Sequence, residues 1–125
     1  MPSGAAAPRA RGVVVERAAE AYLQQQGLHA ITQNFQRRGG EIDLIMREAE
    51  TLVFVEVRFR KTDHFGSPIE SVTVSKQRKL LQTAQLFLLA HPQWRNAPCR
   101  FDIVAARPVA DATIQFEWIK NAFGA

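Results

Sequence analysis

Residues 40–60 constrain the fold of this chain most strongly, because they have the pattern of two β-strands joined by a short turn. The first run, 41–47, alternates its side chains between two faces, as strands do. The second run, 52–59, is rich in β-branched and aromatic residues, which is typical of a well-buried strand. Each run also carries an acid, Asp43 and Glu56. The stretch therefore predicts a β-hairpin whose two acids need a separate explanation.

The turn at residues 48–51 determines which side chains of this hairpin face each other. A hairpin closed over these residues pairs Arg47 with Leu52. The same register places Asp43 opposite Glu56, and directly opposed side chains have Cβ atoms about 5 Å apart. Two carboxylates held that close do not both stay ionised without a partner. Hard oxygen ligands favour Mg²⁺ or Mn²⁺ as that partner, although a slip by one residue would separate the pair.

A plainer interpretation of the two acids stays open. Asp43 and Glu56 can be edge-strand acids that Arg58 and Arg60 neutralise. The setting of Glu56 favours a functional site instead, because Glu56 follows the apolar residues 52–55, where an unpaired charge costs several kcal/mol. Clustered acids in such a setting are more often part of a site than of a scaffold.

The length and composition of the chain exclude several classes of protein. With 125 residues, 46% of them hydrophobic, the chain predicts one globular domain, at 10–125, after a disordered tail at 1–9. It contains no apolar run of the ~20 residues that a membrane span needs, and no secretory signal is expected. The single Cys99 and the scattered histidines show no zinc-ligand spacing. A reducing cytoplasm is the expected location.

The basic residues are grouped along the chain. The net charge is +4 and the pI is about 9.8, which points weakly to nucleic acid. Eight of the sixteen Lys and Arg lie in three short clusters: Arg37 and Arg38; Arg58, Arg60 and Lys61; Lys76, Arg78 and Lys79. If the fold brings the clusters around the hairpin acids, cations would hold a phosphodiester backbone beside a metal.

Hydrophobic periodicity and the positions of capping residues, glycines and prolines predict the remaining helices and strands. Helices are expected at 10–26 and, behind a Thr73 N-cap, at 74–90, with further strands at 28–36, 100–106 and 113–119. This order predicts an α/β fold, a mixed central sheet flanked by helices. Lys76 lies at the edge of the second helix's apolar stripe and can face the hairpin acids. Local pattern alone favours a solvated helix face for Glu16. For Asp102 it favours a strand-end hydrogen bond to a loop over a role as an extra ligand.

Several motifs together resemble a known family. They are Gly12-x-x-x-Glu16-x-x-Ala19, Asn34, Arg37, Gly40-Glu41-Ile42-Asp43-Leu44-Ile45, Val53-Phe54-Val55-Glu56-Val57, Phe65-Gly66, Lys76-Gln77 and Phe101-Asp102. The chain resembles the YraN family of small bacterial proteins, within the restriction-endonuclease-like PD-(D/E)xK nuclease superfamily. The resemblance covers nearly all of the chain after residue 10, and it implies a restriction-endonuclease-like αβββαβ core.

The resemblance also implies roles for particular residues. Asp43 and Glu56 would be metal ligands, and Glu16 an auxiliary acid that reaches the metal through water. Arg58 stands where such nucleases usually carry the Lys that orients or activates water. A guanidinium cannot act as a general base, although it can hold a phosphate. Metal-bound hydroxide, substitution by Lys76, or loss of catalysis are three ways in which the chain can accommodate Arg58.

These implications lead to three expectations about function. The first is a Mg²⁺- or Mn²⁺-dependent endonuclease-like protein that acts on DNA, in particular branched or structured DNA, more readily than on RNA. The second is a nucleic-acid-binding module without catalysis, and the third is a protein-interaction adaptor, because a fold alone does not determine function. Resolvase-like relatives act as dimers on symmetric junctions, so a homodimer is among the expected partners, whereas a membrane is not.

Overall fold

A computed structural model describes residues 8–60, 67–109 and 113–124, with side chains from residue 12 onward. Its elements in chain order are α1 (Pro8–Gln25), β1 (His29–Arg37), β2 (Gly40–Glu48), β3 (Thr51–Phe59), α2 (Val74–Ala90), β4 (Cys99–Pro108) and β5 (Ile114–Phe123), with a short 3₁₀ turn at Pro92–Trp94. Every predicted helix and strand is present. α1 begins at Pro8, two residues before its predicted start, and β5 runs on to Phe123, beyond the predicted end at residue 119.

The five strands form one mixed sheet in the order β1-β2-β3-β4-β5. β3 and β4 run parallel, and the other neighbouring strands are antiparallel. The parallel pair requires a crossover, which α2 provides. The predicted mixed α/β sheet flanked by helices is therefore confirmed, with β1 at one edge as its mixed pattern indicated. Within the described ranges, no helix combines the length and apolarity needed to span a bilayer.

The two helices cover opposite faces of the sheet. The α1 side contains the buried residues Ala19, Leu23, Leu28, Leu44, Met46, Val53, Val55 and Val104. The α2 side contains Phe35, Ile42, Ile45, Leu52, Phe54, Val72, Leu80, Ala84, Phe87, Phe101 and Ile103. β3 contributes alternate residues to both clusters, which is why its sequence is apolar throughout. β3 is thus the central strand, and its one buried acid is Glu56.

The hairpin forms with the predicted register. Arg47 pairs with Leu52, and the turn tightens to Ala49 and Glu50, with Ala49 at a φ of 52°. The β2–β3 ladder ends at the pair Leu44 and Val55, one step before the acids. The two strands therefore diverge where the acids begin, so the hairpin opens instead of continuing as a flat pair.

This divergence overturns one detail of the expected alternation. Ile42 was expected to share a face with Leu44 and Met46, but it packs on the α2 side together with Ile45. The period of two is therefore broken between Ile42 and Leu44, at Asp43. In a regular strand, the Asp43 side chain would project from one face of the sheet, whereas here it lies at the opening between β2 and β3.

The start of α2 and its fit against β2 both follow from local chemistry. The Thr73 hydroxyl accepts the Lys76 backbone N–H at 3.1 Å, which confirms the predicted N-cap. A Cβ on Gly40 would lie 2.2 Å from Thr83 Oγ1 and 3.3 Å from the Lys79 carbonyl oxygen. Glycine at this position therefore lets α2 approach the beginning of β2 closely.

Candidate active site

Asp43 lies in the opening between β2 and β3. Its Oδ2 accepts the backbone N–H of Val57 at 2.8 Å, a donor that a continuing β2 backbone would otherwise have satisfied. Burial raises the pKa of Asp43 above its ordinary value, and the Val57 hydrogen bond opposes this change. The side chain is thus held by the main chain of β3 and is directed toward the acid that precedes Val57.

Glu56 is the second acid of this site and is 4% exposed. Its Oε2 lies 3.2 Å from Arg58 Nη1 and 3.7 Å from Lys76 Nζ, whereas its buried Oε1 has no hydrogen-bond partner among the described residues. Burial, followed by the charge of Asp43, raises the pKa of Glu56 to about 8, although the two cations oppose this rise. Glu56 therefore binds a proton more tightly than an ordinary glutamate does.

Glu16 approaches the same site from α1. Burial, followed by the charge of Asp43, raises its pKa to about 7. Asn34, at a φ of 51°, donates its side-chain amide to Glu16 Oε1 at 2.9 Å and to Glu41 Oε2 at 3.1 Å when the amide is oriented to suit these acids. Local pattern favoured a solvated face for Glu16, and the packing of α1 instead half-buries it beside Asp43.

Three carboxyl groups from α1, β2 and β3 therefore share one site. As they stand, no group of three or more His, Cys, Asp or Glu in the described ranges is placed so that it could hold a metal ion. The charge of Asp43 raises the pKa of both Glu16 and Glu56, whereas Arg58 and Lys76 lie against Glu56 and oppose the rise there. Either protons or an additional cation can neutralise the negative charge of these three carboxylates.

All three nitrogens of the Arg58 guanidinium group donate hydrogen bonds. Nη1 donates to Glu56 Oε2 at 3.2 Å, Nε donates to Ser71 Oγ at 3.2 Å, and Nη2 donates to the Ser71 carbonyl at 2.5 Å. The plainer interpretation, in which Arg58 neutralises a strand acid, is therefore partly correct for Glu56. Ser71 is a residue of this site that sequence reasoning missed, because its partner lies thirteen positions away and nothing local marks it.

The fold brings two of the basic clusters together. Gly40, which directly follows the turn with Arg37 and Arg38, packs against the Lys79 carbonyl of α2. Arg37 lies over the Phe35 ring, 4.2 Å from its centre, and donates to the Gln36 carbonyl. Three of the predicted nucleic-acid-binding residues besides Arg37 are solvent-exposed: Arg38, Arg78 and Lys79. Lys76 reaches Glu56, whereas Lys61 lies outside the described residues.

Comparison with known proteins identifies the family of this chain. The profile of the uncharacterised protein family UPF0102 matches residues 15–106, which include all three acids of the site. The chain belongs to UPF0102. This confirms the resemblance to the YraN family.

UPF0102 proteins of other bacteria resemble the chain along nearly their whole length. One from Pseudomonas putida (strain GB-1) is 45% identical over 119 residues, which cover 95% of this chain and 97% of that protein. One from Xanthomonas oryzae pv. oryzae (strain PXO99A) is 49% identical over 120 residues, 96% of each chain. A third, from Xanthomonas euvesicatoria pv. vesicatoria (strain 85-10), shows the same identity and coverage.

Another buried acid of this UPF0102 chain, Asp102, has a structural role. It accepts hydrogen bonds from Arg100 Nε at 3.0 Å, Trp118 Nε1 at 2.9 Å and the Asn121 backbone N–H at 2.9 Å. These contacts fasten β5 to β4 beside a shift in their register. The predicted strand hydrogen bond is therefore found, although its partner is on a neighbouring strand instead of a loop.

Proposed function

We propose that this UPF0102 protein is a divalent-metal-dependent nuclease that acts on DNA. The observation that carries the proposal is the convergence of Glu16, Asp43 and Glu56 on one site, where two of the three have pKa values raised to about 7 and 8. Acids tuned in this way and grouped in an opening of the sheet are more typical of a catalytic site than of a scaffold. The sheet order and the acids on β2 and β3 agree with the restriction-endonuclease-like core that the resemblance implies.

The carboxylates fit a hard divalent cation. Mg²⁺ is usually bound by one or two carboxylates together with water and substrate phosphate, so the chain need not supply a complete ligand set. Asp43 and Glu56 would bind it directly, and the buried Glu56 Oε1, which has no hydrogen-bond partner in the described part of the chain, is the oxygen most in need of one. Glu16 would hold a water of the metal shell. When bound, such an ion lowers the pKa of water and neutralises charge on a phosphate.

The residues around the acids position the substrate. Asp43 keeps its orientation through the Val57 N–H, so it can bind without rearranging the strand. Lys76, with 39% of its side chain exposed, can leave Glu56 for a phosphate oxygen once a metal takes over that carboxylate. Arg58 remains tied to Ser71 through two of its nitrogens and offers positive charge without acting as a base. Protons leave Glu16 and Glu56 as the cation enters.

Cations farther from the acids would hold the rest of the DNA. The basic turn with Arg37 and Arg38 leads into Gly40, which packs against the Lys79 carbonyl of α2, and Arg60 directly follows β3. Lys and Arg contacts to phosphates supply most of the sequence-independent affinity for DNA and make binding fall as salt rises. This distribution suits a substrate that is recognised by shape, such as a branched or otherwise structured DNA.

The decisive experiment is a cleavage assay with purified protein, Mg²⁺ or Mn²⁺, and a panel of duplex, single-stranded and four-way-junction DNA with matched RNA. The proposal predicts metal-dependent DNA cleavage that is abolished in Asp43→Asn, which can still accept the Val57 N–H. Glu50→Gln, which removes an exposed acid from the β2–β3 turn, serves as the matched control and should cleave normally. Cleavage that persists in Asp43→Asn would refute this site.

The second candidate function is nucleic-acid binding without catalysis. One observation favours it: Arg58 and Lys76 already neutralise Glu56, and Arg58 is anchored firmly on Ser71. This function predicts binding that depends steeply on salt, ignores Mg²⁺ and survives Asp43→Asn. Affinity for DNA that rises with Mg²⁺ in the wild type but not in Asp43→Asn would exclude it.

A further inference from the structure

Asn34 has an irregular backbone at the point of β1 that lies opposite Asp43. Its φ of 51° is in the left-handed region, which asparagine tolerates better than most residues but which an ordinary strand does not use. The β1–β2 pairs on either side are present, whereas the register does not include Asn34 and Asp43 themselves. Backbone strain of this kind persists only where surrounding contacts hold it, and it is concentrated at functional sites. The contacts of the Asn34 side chain show what holds it here.

The irregular backbone lets two neighbouring side chains of β1 reach the same helix. Consecutive residues of a regular strand project to opposite faces of the sheet. Gln33 nevertheless donates its side-chain amide to Glu20 Oε1 on α1 at 2.6 Å. Asn34, with its amide oriented to suit the acids, donates to Glu16 Oε1 at 2.9 Å. Two adjacent amides therefore link β1 to α1, and one of them ends on an acid of the candidate active site.

Glu41 holds the Asn34 amide from the other side. Glu41 Oε2 accepts the same amide nitrogen of Asn34 at 3.1 Å, and it also accepts the side-chain amide of Gln36 at 3.0 Å. Gln36 and Glu41 are register partners beside the turn that joins β1 and β2, so this link is anchored in the sheet. A chain of hydrogen bonds therefore runs from Gln36 through Glu41 and Asn34 to Glu16.

Glu16 needs such an anchor because its place on α1 does not fix its carboxylate. A half-buried glutamate on a helix can adopt several rotamers, including ones that turn its carboxylate to solvent. The charges of Asp43 and Glu41 also act against an ionised Glu16 at this position. The Asn34 amide is a donor without a net charge, and it bonds Glu16 and Glu41 at once. It therefore keeps the Glu16 carboxylate on the sheet side of α1, near Asp43.

We propose that Asn34 is a positioning residue that holds Glu16 in place to orient a water of the metal shell. The proposal rests on the proposed nuclease function for the reaction that this water serves. Asn34 itself touches neither the substrate nor the metal and acts only through Glu16. Partners of this kind, which orient the groups around a metal, typically change activity by about ten- to a hundredfold when they are removed.

Asn34→Gly tests this role in the cleavage reaction, because glycine adopts the same φ without strain and removes only the side chain with its amide. In single-turnover assays with Mg²⁺ or Mn²⁺, the cleavage rate should fall about tenfold or more, whereas the affinity for DNA in EDTA should be unchanged. Gln33→Ala is the matched control, since it removes the neighbouring link to α1, which ends on Glu20. It should cleave at the wild-type rate.

A double-mutant cycle determines whether Asn34 acts through Glu16. In a Glu16→Ala background, Asn34→Gly should cause no further loss of rate. The same loss as in the wild-type background would overturn the proposal, as would an equal loss in Gln33→Ala or a wild-type rate in folded Asn34→Gly. If Asn34→Gly does not fold, as judged by circular dichroism, Asn34→Asp takes its place, because aspartate also tolerates this φ and lacks the donor. Its rate should fall by the same factor.

Nuclear magnetic resonance of the metal-free protein separates this proposal from the nuclease proposal. In EDTA, the two side-chain N–H signals of Asn34 should shift on Glu16→Ala and should shift much less on Glu20→Ala, one helical turn away. Signals that do not respond to Glu16→Ala would overturn the positioning role. If they respond but the wild type cleaves neither DNA nor RNA, the placement of Glu16 by Asn34 is supported and the nuclease proposal alone is refuted.

Discussion

The Asp43 carboxylate accepts the Val57 backbone N–H at 2.8 Å, beyond the last paired residues of β2 and β3. The Asp43 side chain thus accepts the hydrogen bond of a β3 backbone N–H that the β2 backbone does not reach where the two strands diverge. This bond fixes Asp43 next to Glu56 without fixing Glu56 itself, whose Oε1 stays unpaired among the described residues. One acid is therefore anchored by the main chain, and the other keeps an oxygen that a cation can bind.

The stability of the metal-free protein should fall as pH rises from about 5 to about 8. The folded state raises the pKa of Glu56 from 4.5 to about 8, so between these values the folded chain binds more protons than the unfolded chain. Stability is then full below the unfolded pKa and is lost as pH passes the folded one, by roughly 2–4 kcal/mol at about 1.4 kcal/mol per pKa unit. Glu16 acts in the same direction up to about pH 7.

Urea unfolding in EDTA across this pH range tests the expectation. Glu56→Gln stays neutral and should flatten the profile, with a gain in stability over the wild type at pH 8. Glu50→Gln, which changes an exposed acid, should keep the wild-type profile. A wild-type profile that is level from pH 5 to 8 would mean that Glu56 is not protonated in the folded protein.

Arg58→Lys should destabilise the protein yet retain its activity. Lysine cannot reproduce the fork that joins Glu56 with the Ser71 hydroxyl and carbonyl, so a loss of about 1–2 kcal/mol is expected. The positive charge beside Glu56 remains, and cleavage per folded molecule should stay within about tenfold of the wild type. Arg58→Met removes the charge and should lower cleavage by more; equal activity of the two variants would show that the charge is not used.

Gly40→Ala should loosen α2 from β2. The added methyl group would meet Thr83 Oγ1 at 2.2 Å, and Thr83 is a buried β-branched residue that already bonds to the Lys79 carbonyl. Overpacking of this kind typically costs about 1–3 kcal/mol. Gly12→Ala is the control, because nothing lies within 4 Å of a Cβ there and alanine favours a helix by about 1 kcal/mol. Thermal melts that rank the two variants in the opposite order would contradict this packing.

Asp102→Asn should separate stability from activity. The substitution removes the charge that pairs with Arg100 and weakens the links to β5, so unfolding should become easier by roughly 2–4 kcal/mol. Because Asp102 serves the scaffold, cleavage per folded molecule should be unchanged at low temperature, unlike in Asp43→Asn. A selective loss of cleavage in a folded Asp102→Asn protein would place Asp102 in the active site.

The hairpin could be predicted from sequence because its information is local. A short turn and an apolar strand were sufficient to pair Arg47 with Leu52, although the ladder ends one step before the predicted pair of Asp43 and Glu56. The break in alternation at Ile42 could not be predicted in the same way, because it arises where β2 leaves β3. Divergence of two strands is a property of the whole sheet, and no single residue type predicts it.

The partners of the site were harder to predict than the acids. Asp43 and Glu56 are close in the hairpin, whereas Glu16 comes from a helix whose placement depends on long-range packing, and its local pattern favoured solvent. Arg58 could be read as a cation beside Glu56, but its anchor on Ser71 spans a loop.

Asp43 and Glu56 should bind a divalent cation in place of protons, which calorimetric titration of Mn²⁺ can measure. Mn²⁺ is titrated into the protein alone and into its complex with a four-way DNA junction, in buffers of different ionisation enthalpy. We expect one Mn²⁺ per chain with proton release, unchanged in Glu50→Gln and weakened at least tenfold in Asp43→Asn. Equal Mn²⁺ affinity and proton release in Asp43→Asn and wild type, or no binding by the wild type in either form, would contradict it.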